Sequence, residues 1–338
     1  MHCMPTGDVL DYSKDEFLAD HNMNIHSRDY STLKKNLEYV RCDLCGDDNI
    51  ELLFCKKGTL TGELFNIVRC RNDGLVYVNP RISKVTIKQL YDEWYYKGEG
   101  FDTNVNYEAD IQQPNSLETL HKRDMSHNIV RLAKSLGIDK GRLLDVGCGN
   151  GQLLRFMKDL GFEVFGTDIS PSACQISRRQ GLDVFYGEIT DESLLPASEN
   201  FDIITATEVL EHLHNPKAYL QKISSLLKPG GLFYYTTGNA DRIRVEGQKW
   251  NYLNAEGHIY YFSPSVIEIY FAQVGLRPLS PYEYPPFYAF STTSFYQHTR
   301  NIAKELLLRS KLLRLMLLRP YLEFTNSRMM PLGQKPLN

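Results

Sequence analysis

The sequence predicts an α/β protein built on a parallel sheet with helices on both faces. Three observations point there. Strand-like and helix-like runs alternate regularly from Arg142 to Thr236, a glycine turn joins the first such strand to its helix, and Asp168 closes the second strand.

Leu143–Val146 reads as a short apolar strand. The helix over 152–160 carries Leu153, Leu154, Met157 and Leu160 on one face and stops at Gly161. A second strand (162–167) and helix (172–180) follow, then a third strand at 184–186 and a fourth at 201–206. A helix through Leu210, another over 216–227, and Pro229-Gly230-Gly231 turning into a fifth strand at 232–236 complete the alternation. Ligands of such sheets bind at the carboxyl ends of the strands.

Around this core the chain of 338 residues divides into a leader (1–38), a small β-rich module (39–82), a helical linker and cofactor-lid region (83–138), the main domain (139–298) and a helical tail (299–338). Hydrophobic residues make up 42% and charged residues 23%, ordinary for a globular protein with a sizeable core. The net charge of -3, from 38 basic and 41 acidic residues, argues against a nucleic-acid partner. The first twenty residues are polar and acidic, with no basic run leading into an apolar one, and no stretch reaches the ~18 apolar residues of a spanning helix. The expected location is the cytoplasm.

Glycines at 147, 149 and 151 let the backbone approach a ligand closely, and the helix behind them offers unpaired N–H groups. Asp168, roughly 20 residues past Gly147, stands where a carboxylate takes the two hydroxyls of a ribose. Two cofactors share that ribose logic. The dinucleotide pattern places its third glycine where this chain has Gln152. Asp145 is a poor neighbour for a pyrophosphate and a good one for an ammonium group. The charge logic favours S-adenosylmethionine over a nicotinamide dinucleotide, and a dehydrogenase is the weaker alternative.

The run Leu143-Leu144-Asp145-Val146-Gly147-Cys148-Gly149-Asn150-Gly151 resembles motif I of the class I methyltransferases, and residues 201–237 look like the later motifs of that family. The resemblance covers roughly residues 117–280 and implies a Rossmann-like sheet. It also implies Asp145, Gly147, Cys148 and Gly149 around the methionine part of S-adenosylmethionine, Asp168 on the ribose, Ile169, Glu188 and Ile189 near the adenine, and Thr207 lining the pocket.

Cys42-x-x-Cys45 and Cys70-x-x-Asp73 have the spacing of a zinc ribbon. The layout resembles the zinc-binding module that precedes some sugar and other natural-product methyltransferases, with Asp73 where those relatives have a fourth cysteine. Three outcomes follow: a three-thiolate, one-carboxylate zinc site, a site completed by Cys55, or a module held by its apolar core alone. A structural role is expected of such an ion.

Glu208-Val209-Leu210-Glu211-His212 follows the fourth strand, and His258 comes later. On one helical turn, Glu208, Glu211 and His212 would share a face. The pattern resembles the metal site of small-RNA 2′-O-methyltransferases and of ubiquinone-pathway O-methyltransferases, which implies a second divalent ion on Glu208, Glu211, His212 and His258. Many methyltransferases carry a similar segment without metal. In that case His258 or His212, with Glu211 beside them, would serve as general base.

The expected activity is O- or C-methylation of a small-molecule acceptor (a sugar, a nucleotide sugar or a phenol or quinol) in natural-product or polysaccharide biosynthesis. A catalytically silent cofactor-binding scaffold is the rival. The aromatic-rich stretch from Tyr282 to Tyr296 either lines the acceptor pocket or forms the last antiparallel strands. Residues 302–318 are leucine-rich, and six basic residues stand against one acid between Arg300 and Arg319. Their leucines run nearly all round the helix, which favours packing over peripheral membrane contact. The sequence leaves the oligomeric state open.

Overall fold

The computed structural model describes residues 36–87, 117–195, 200–279, 328–329 and 332–336. The 282–296 and 302–318 stretches lie outside the described residues. Among the described residues no helix is long and apolar enough to cross a membrane.

The main sheet contains β6 (Arg142–Val146), β7 (Glu163–Asp168), β8 (Asp183–Tyr186), β9 (Phe201–Thr207), β10 (Leu227–Gly238), β12 (Arg277–Leu279), β13 (Arg328–Met329) and β14 (Leu332–Gln334). Its order is β12-β14-β10-β9-β6-β7-β8, with β13 paired to β10. The five strands from β8 to β10 run parallel, and β14 is antiparallel to β10. The chain starts in the middle at β6, steps outward through β7 and β8, then crosses back to β9. That reversal opens a crevice at the carboxyl ends of β6 and β9.

Neighbouring residues on each central strand face opposite layers. Leu143, Ile203 and Leu232 pack with α1 (Leu117–Ser135) and α2 (Gln152–Asp159). Leu144, Ile204 and Phe233 pack with α4 (Pro216–Leu226) and α5 (Pro264–Val274). A sheet covered on both faces needs such continuous apolar runs. Between these helices lies α3 (Pro171–Arg179). It starts as α4 and α5 do, with a capping side chain followed by proline. Ser170, Asn215 and Ser263 each accept from the backbone N–H three residues on, at 3.4, 3.0 and 3.3 Å. Proline fills the next position, where its missing N–H costs nothing.

The segment before α1 forms a second sheet. β2 (Ile50–Lys57), β3 (Leu64–Cys70) and β4 (Val76–Val78) make an antiparallel meander, and its fourth strand is β11 (Tyr260–Tyr261), supplied from beyond β10. Two short strands, β1 (Leu37–Glu38) and β5 (Arg81–Ile82), pair beside it. Both faces of this sheet are buried against the larger domain. Val68, Cys70, Leu75 and Tyr77 join the core of α4 and α5, and Phe65, Ile67, Val76 and Val78 pack on Trp250, Leu253 and Tyr261. Arg81 locks the join, donating to Glu38 Oε1, Tyr260 Oη and the His214 carbonyl at 2.9, 3.0 and 3.1 Å.

Two local expectations are corrected. Glu208 is not on a helical turn with Glu211 and His212: its φ is 55°, and a 3-10 turn begins only at Leu210. Residues 332–334, inside the stretch expected to be a helical tail, form β14. Gly333 makes room there, since a Cβ would come within 2.7 Å of the Phe271 ring.

Candidate active site

The crevice is lined first by the turn after β6. Gly147, Gly149 and Gly151 have φ of 71°, 54° and 75°, a region that side chains disfavour. At Gly147 a Cβ would also sit 2.6 Å from Val209 Cγ2. Asp145 is 2% exposed and accepts from Thr205 Oγ1 at 2.7 Å. Asp168, at the end of β7, accepts from Gly149 N at 2.8 Å and from Ser170 N at 3.0 Å. Burial pushes both carboxyls up to about 6, against which the Thr205 hydroxyl and Lys122 pull Asp145 down and the two amides pull Asp168 down. Cys148 is buried, and burial raises its thiol well above the ordinary range, so it packs and does not react.

Ile169 borders the crevice half-buried beside Asp168, and Ile189 is buried. Glu188 is held by Lys84 at 2.7 Å. Thr207 ends β9 and accepts from Lys122 Nζ at 3.3 Å. Lys122 and Thr119, on α1, were not among the residues expected here. Thr119 Oγ1 accepts from Gln152 Nε2 at 3.1 Å, tying α1 to the glycine turn.

Beyond Thr207 lies a compact polar group. Glu211 has no exposed surface, and its Oε2 accepts from Thr237 Oγ1 at 2.8 Å. Tyr252 Oη lies 2.9 Å from Glu208 Oε2 and makes a short contact with Glu211 Oε1. Burial, and then the charge of Glu208, push Glu211 up to about 8. Glu208 Oε1 is buried with no hydrogen-bond partner among the described residues.

His212 and His258 stand edge to face, ring centroids 4.8 Å apart, and the Tyr252 ring lies 4.4 Å from that of His258. His212 Nδ1 is 2.9 Å from the Gly257 carbonyl, and His258 Nδ1 is 2.8 Å from the Tyr252 carbonyl. A carbonyl only accepts, so each neutral ring carries its proton on Nδ1 and its lone pair on Nε2. Ligand atoms of Glu211, His212 and His258 lie within 4.8 Å of one another. Glu208 reaches this group only through Tyr252.

Tyr252 and Thr237 were missed from sequence. Tyr252 falls between Trp250 and Leu253 in an apolar-looking run, and only the absence of a side chain at Gly238 lets its ring in: a Cβ there would collide with it.

In the N-terminal module, the structure brings Cys42, Cys45, Cys70 and Asp73 together, their ligand atoms within 4.8 Å of one another. Cys45 Sγ and Cys70 Sγ are 3.6 Å apart, and Cys42 Sγ is 3.1 Å from Asp73 Oδ2. Tetrahedral zinc with ~2.3 Å bonds to sulfur needs thiolates about 3.7 Å apart. Burial, and with it the hydrogen bond to Asp73, push the Cys42 thiol up. Cys55 lies on β2 against Asn66, outside this group.

Residues 117–280 match the family model for a methyltransferase domain. A ubiquinone biosynthesis O-methyltransferase of Cereibacter sphaeroides is 38% identical over 127 residues, which is 35% of this chain and 51% of that protein. The protein of the same name from Ruegeria pomeroyi is 42% identical over 102 residues, 29% of this chain and 41% of that one. The chain thus spans about half the length of the curated relatives it matches. A crystal structure of an S-adenosylmethionine-dependent methyltransferase from Clostridium acetobutylicum overlaps 68% of this chain and 98% of its own, with 16% identity and a TM-score of 0.44. The similarity to methyltransferases thus lies in residues 117–280, just under half of the chain.

Proposed function

We propose that the protein transfers a methyl group from S-adenosylmethionine to an oxygen or carbon nucleophile of a small acceptor, with a phenol or quinol as the first class to test and a sugar as the second. One observation carries this reading: the glycine turn after β6, Asp168 at the end of β7 and the His212 turn after β9, with His258 packed on His212, all stand at the carboxyl ends of the parallel strands. Asp145, Gly147, Cys148 and Gly149 would surround the methionine part, Asp168 the ribose, Ile169, Glu188 and Ile189 the adenine, and Thr207 the wall towards the acceptor. Asp168 suits its role because its Oδ2 is held by Gly149 N of the glycine turn, which fixes the carboxylate beside that turn. The bound sulfonium supplies the electrophilic methyl.

The chain's own residues do the rest. His258 and His212 each have the ring fixed by a backbone carbonyl at Nδ1, and either would take the acceptor's proton as the new bond forms. Glu208 Oε1, buried and without a partner among the described residues, can accept from the acceptor's hydroxyl and orient it. Much of the rate then comes from positioning. The phenol or quinol class draws on the ubiquinone-pathway relatives, and the tyrosine and histidine rings on the acceptor side suit an aromatic guest.

A second reading places a divalent ion on Glu211, His212 and His258, supported by the closeness of their ligand atoms. Such an ion would lower the pKa of a bound hydroxyl. In the N-terminal module, Cys42, Cys45, Cys70 and Asp73 would hold zinc in a structural role, because four protein ligands leave no open position.

The deciding experiment is turnover with S-adenosylmethionine against phenols and sugar nucleotides, with and without a chelator, read as S-adenosylhomocysteine formed. Release with a phenol supports the first reading, and its loss under chelation supports the ion. No S-adenosylhomocysteine from any acceptor, together with no cofactor binding, removes the proposal. Cofactor binding with no turnover leaves the scaffold alternative in its place.

A further inference from the structure

The acceptor side of the crevice depends on a turn that the small N-terminal sheet grips. Glu256 has no exposed surface. Its Oε1 accepts from Thr61 N at 2.8 Å and Thr61 Oγ1 at 2.6 Å, and its Oε2 accepts from Leu60 N at 2.8 Å and Thr59 Oγ1 at 3.3 Å. All four donors come from three consecutive residues in the connection between β2 and β3. The carboxylate reaches almost 200 residues back along the sequence to find them.

The fit is close. A Cβ on Gly58 would run into the Glu256 carboxylate. Four donors on a buried carboxylate fix the contact, because breaking it leaves a fully buried carboxyl group without partners.

Glu256 sits in the turn that carries the imidazoles. His258 N donates to the Asn254 carbonyl at 2.7 Å, and Asn254 Oδ1 accepts from Glu256 N and Gly257 N, both at 3.3 Å. The Gly257 carbonyl is the partner of His212 Nδ1, and the Tyr252 carbonyl that of His258 Nδ1. So the turn places one ring directly and holds the other by its backbone. On its far side Ile259 is fixed from both directions: its N donates to the Glu211 carbonyl at 2.9 Å, and its carbonyl accepts from Val78 N at 3.0 Å.

We propose that the β2–β3 connection of the N-terminal module is a positioning element for the acceptor site: Thr59, Leu60 and Thr61 hold Glu256, and Glu256 holds the 252–258 turn so that His212 and His258 both keep Nδ1–H on a carbonyl. The module is then part of the catalytic apparatus. This rests on the reading of His212 and His258 as the acceptor-side groups, but the geometry it asserts is observable with no acceptor present.

The test uses the full chain labelled with 15N at histidine. Two-bond 1H–15N spectra report the tautomer of each ring, with His212 and His258 assigned by His212→Gln and His258→Gln. In the unsubstituted protein both rings show the Nδ1–H form. Thr61→Val removes one hydroxyl donor far from the rings and leaves the backbone donor, so it keeps the fold while loosening the grip. Glu256→Gln goes further, turning an amide NH2 against donors. Both variants are expected to move His258 and His212 toward the Nε2–H form that predominates in a solvated ring, Glu256→Gln more than Thr61→Val, with the S-adenosylmethionine Kd within about twofold. Unchanged tautomers in Thr61→Val and Glu256→Gln would overturn the proposal, whatever happens to Tm. So would a tautomer change accompanied by loss of cofactor binding, since that marks general unfolding. Failure of S-adenosylmethionine to bind the unsubstituted protein would count against the proposed activity and leave the tautomer result standing.

Discussion

Cofactor affinity should fall as the solution is acidified from pH 7 to pH 5. Burial raises Asp145 and Asp168 each from an ordinary 3.8 to about 6. A raised carboxyl favours the folded chain below pH ~4, where both states hold the proton, and that contribution is lost as pH climbs through 6. Above it, the ligand-free fold carries two buried anions, at a cost of up to about 3 kcal/mol each. The ammonium and ribose hydroxyls of S-adenosylmethionine prefer those anions. A group titrating near 6 is about 90% ionised at pH 7 and about 10% at pH 5, so affinity falls about tenfold per carboxylate and about a hundredfold if both must ionise. The ligand's own amine, with a pKa near 8, stays charged over this window. Calorimetric titration at pH 5, 6 and 7, in two buffers of different ionisation enthalpy, gives Kd and counts the protons released. Asp168→Asn should weaken binding by about tenfold to a hundredfold at pH 7, the worth of a charged hydrogen bond, and remove one proton from the count. A Kd constant within twofold from pH 7 to pH 5, in protein that keeps its tertiary signals, would refute the assignment of these carboxylates to the cofactor.

Gly147→Ala should weaken S-adenosylmethionine binding about tenfold or more, measured the same way, because a side chain at φ 71° costs roughly 1–2 kcal/mol before the contact with Val209 is relieved. Gly238→Ala should displace the Tyr252 ring from its place against β10 and lower turnover by about tenfold to a hundredfold while the cofactor Kd stays unchanged, the signature of a disturbed acceptor side. Elemental analysis of the purified chain should find one zinc per molecule. Cys70→Ser should lose it and lower Tm by several degrees, and Asp73→Cys should retain it, because structural zinc contributes on the order of 10 kcal/mol to small folds.

The parts of this molecule legible in the sequence are those encoded locally. Leu143 to Gly151 and Asp168 lie in one strand–turn–helix–strand unit, where period, glycine position and spacing all act within 30 residues or so. The helix starts at Asn215-Pro216 and Ser263-Pro264 are equally local. The acceptor side is assembled differently. Tyr252 meets Glu211 from 41 residues away, and Glu256 meets Thr61 from 195. Nothing near Tyr252 in the chain marks it as polar machinery, and nothing near Glu256 distinguishes it from a solvated acid. Glu208 misled the helical-turn reading because its φ of 55° breaks the turn before it begins. The short strands β11 and β14 carry too few residues to show a period, and each is fixed by the partner strand it completes.

Counting donors around Tyr252 separates the two acceptor-side readings. The tyrosine has one proton and faces two carboxylates. Thr237 donates to Glu211 Oε2, leaving Oε1 toward the tyrosine. Burial and the charge of Glu208 raise Glu211 to about 8, and the one Tyr252 proton lies between Glu211 Oε1 and Glu208 Oε2. Glu208 Oε1 lacks a partner among the described residues. An ion on Glu211 would have to break its tie to Tyr252. Imidazole base catalysis keeps the Glu211–Tyr252 contact closed, whereas a divalent ion on Glu211 needs it open. Turnover that survives chelation would agree with this count, and turnover that requires a divalent ion would mean that the Glu211–Tyr252 link opens when the ion binds.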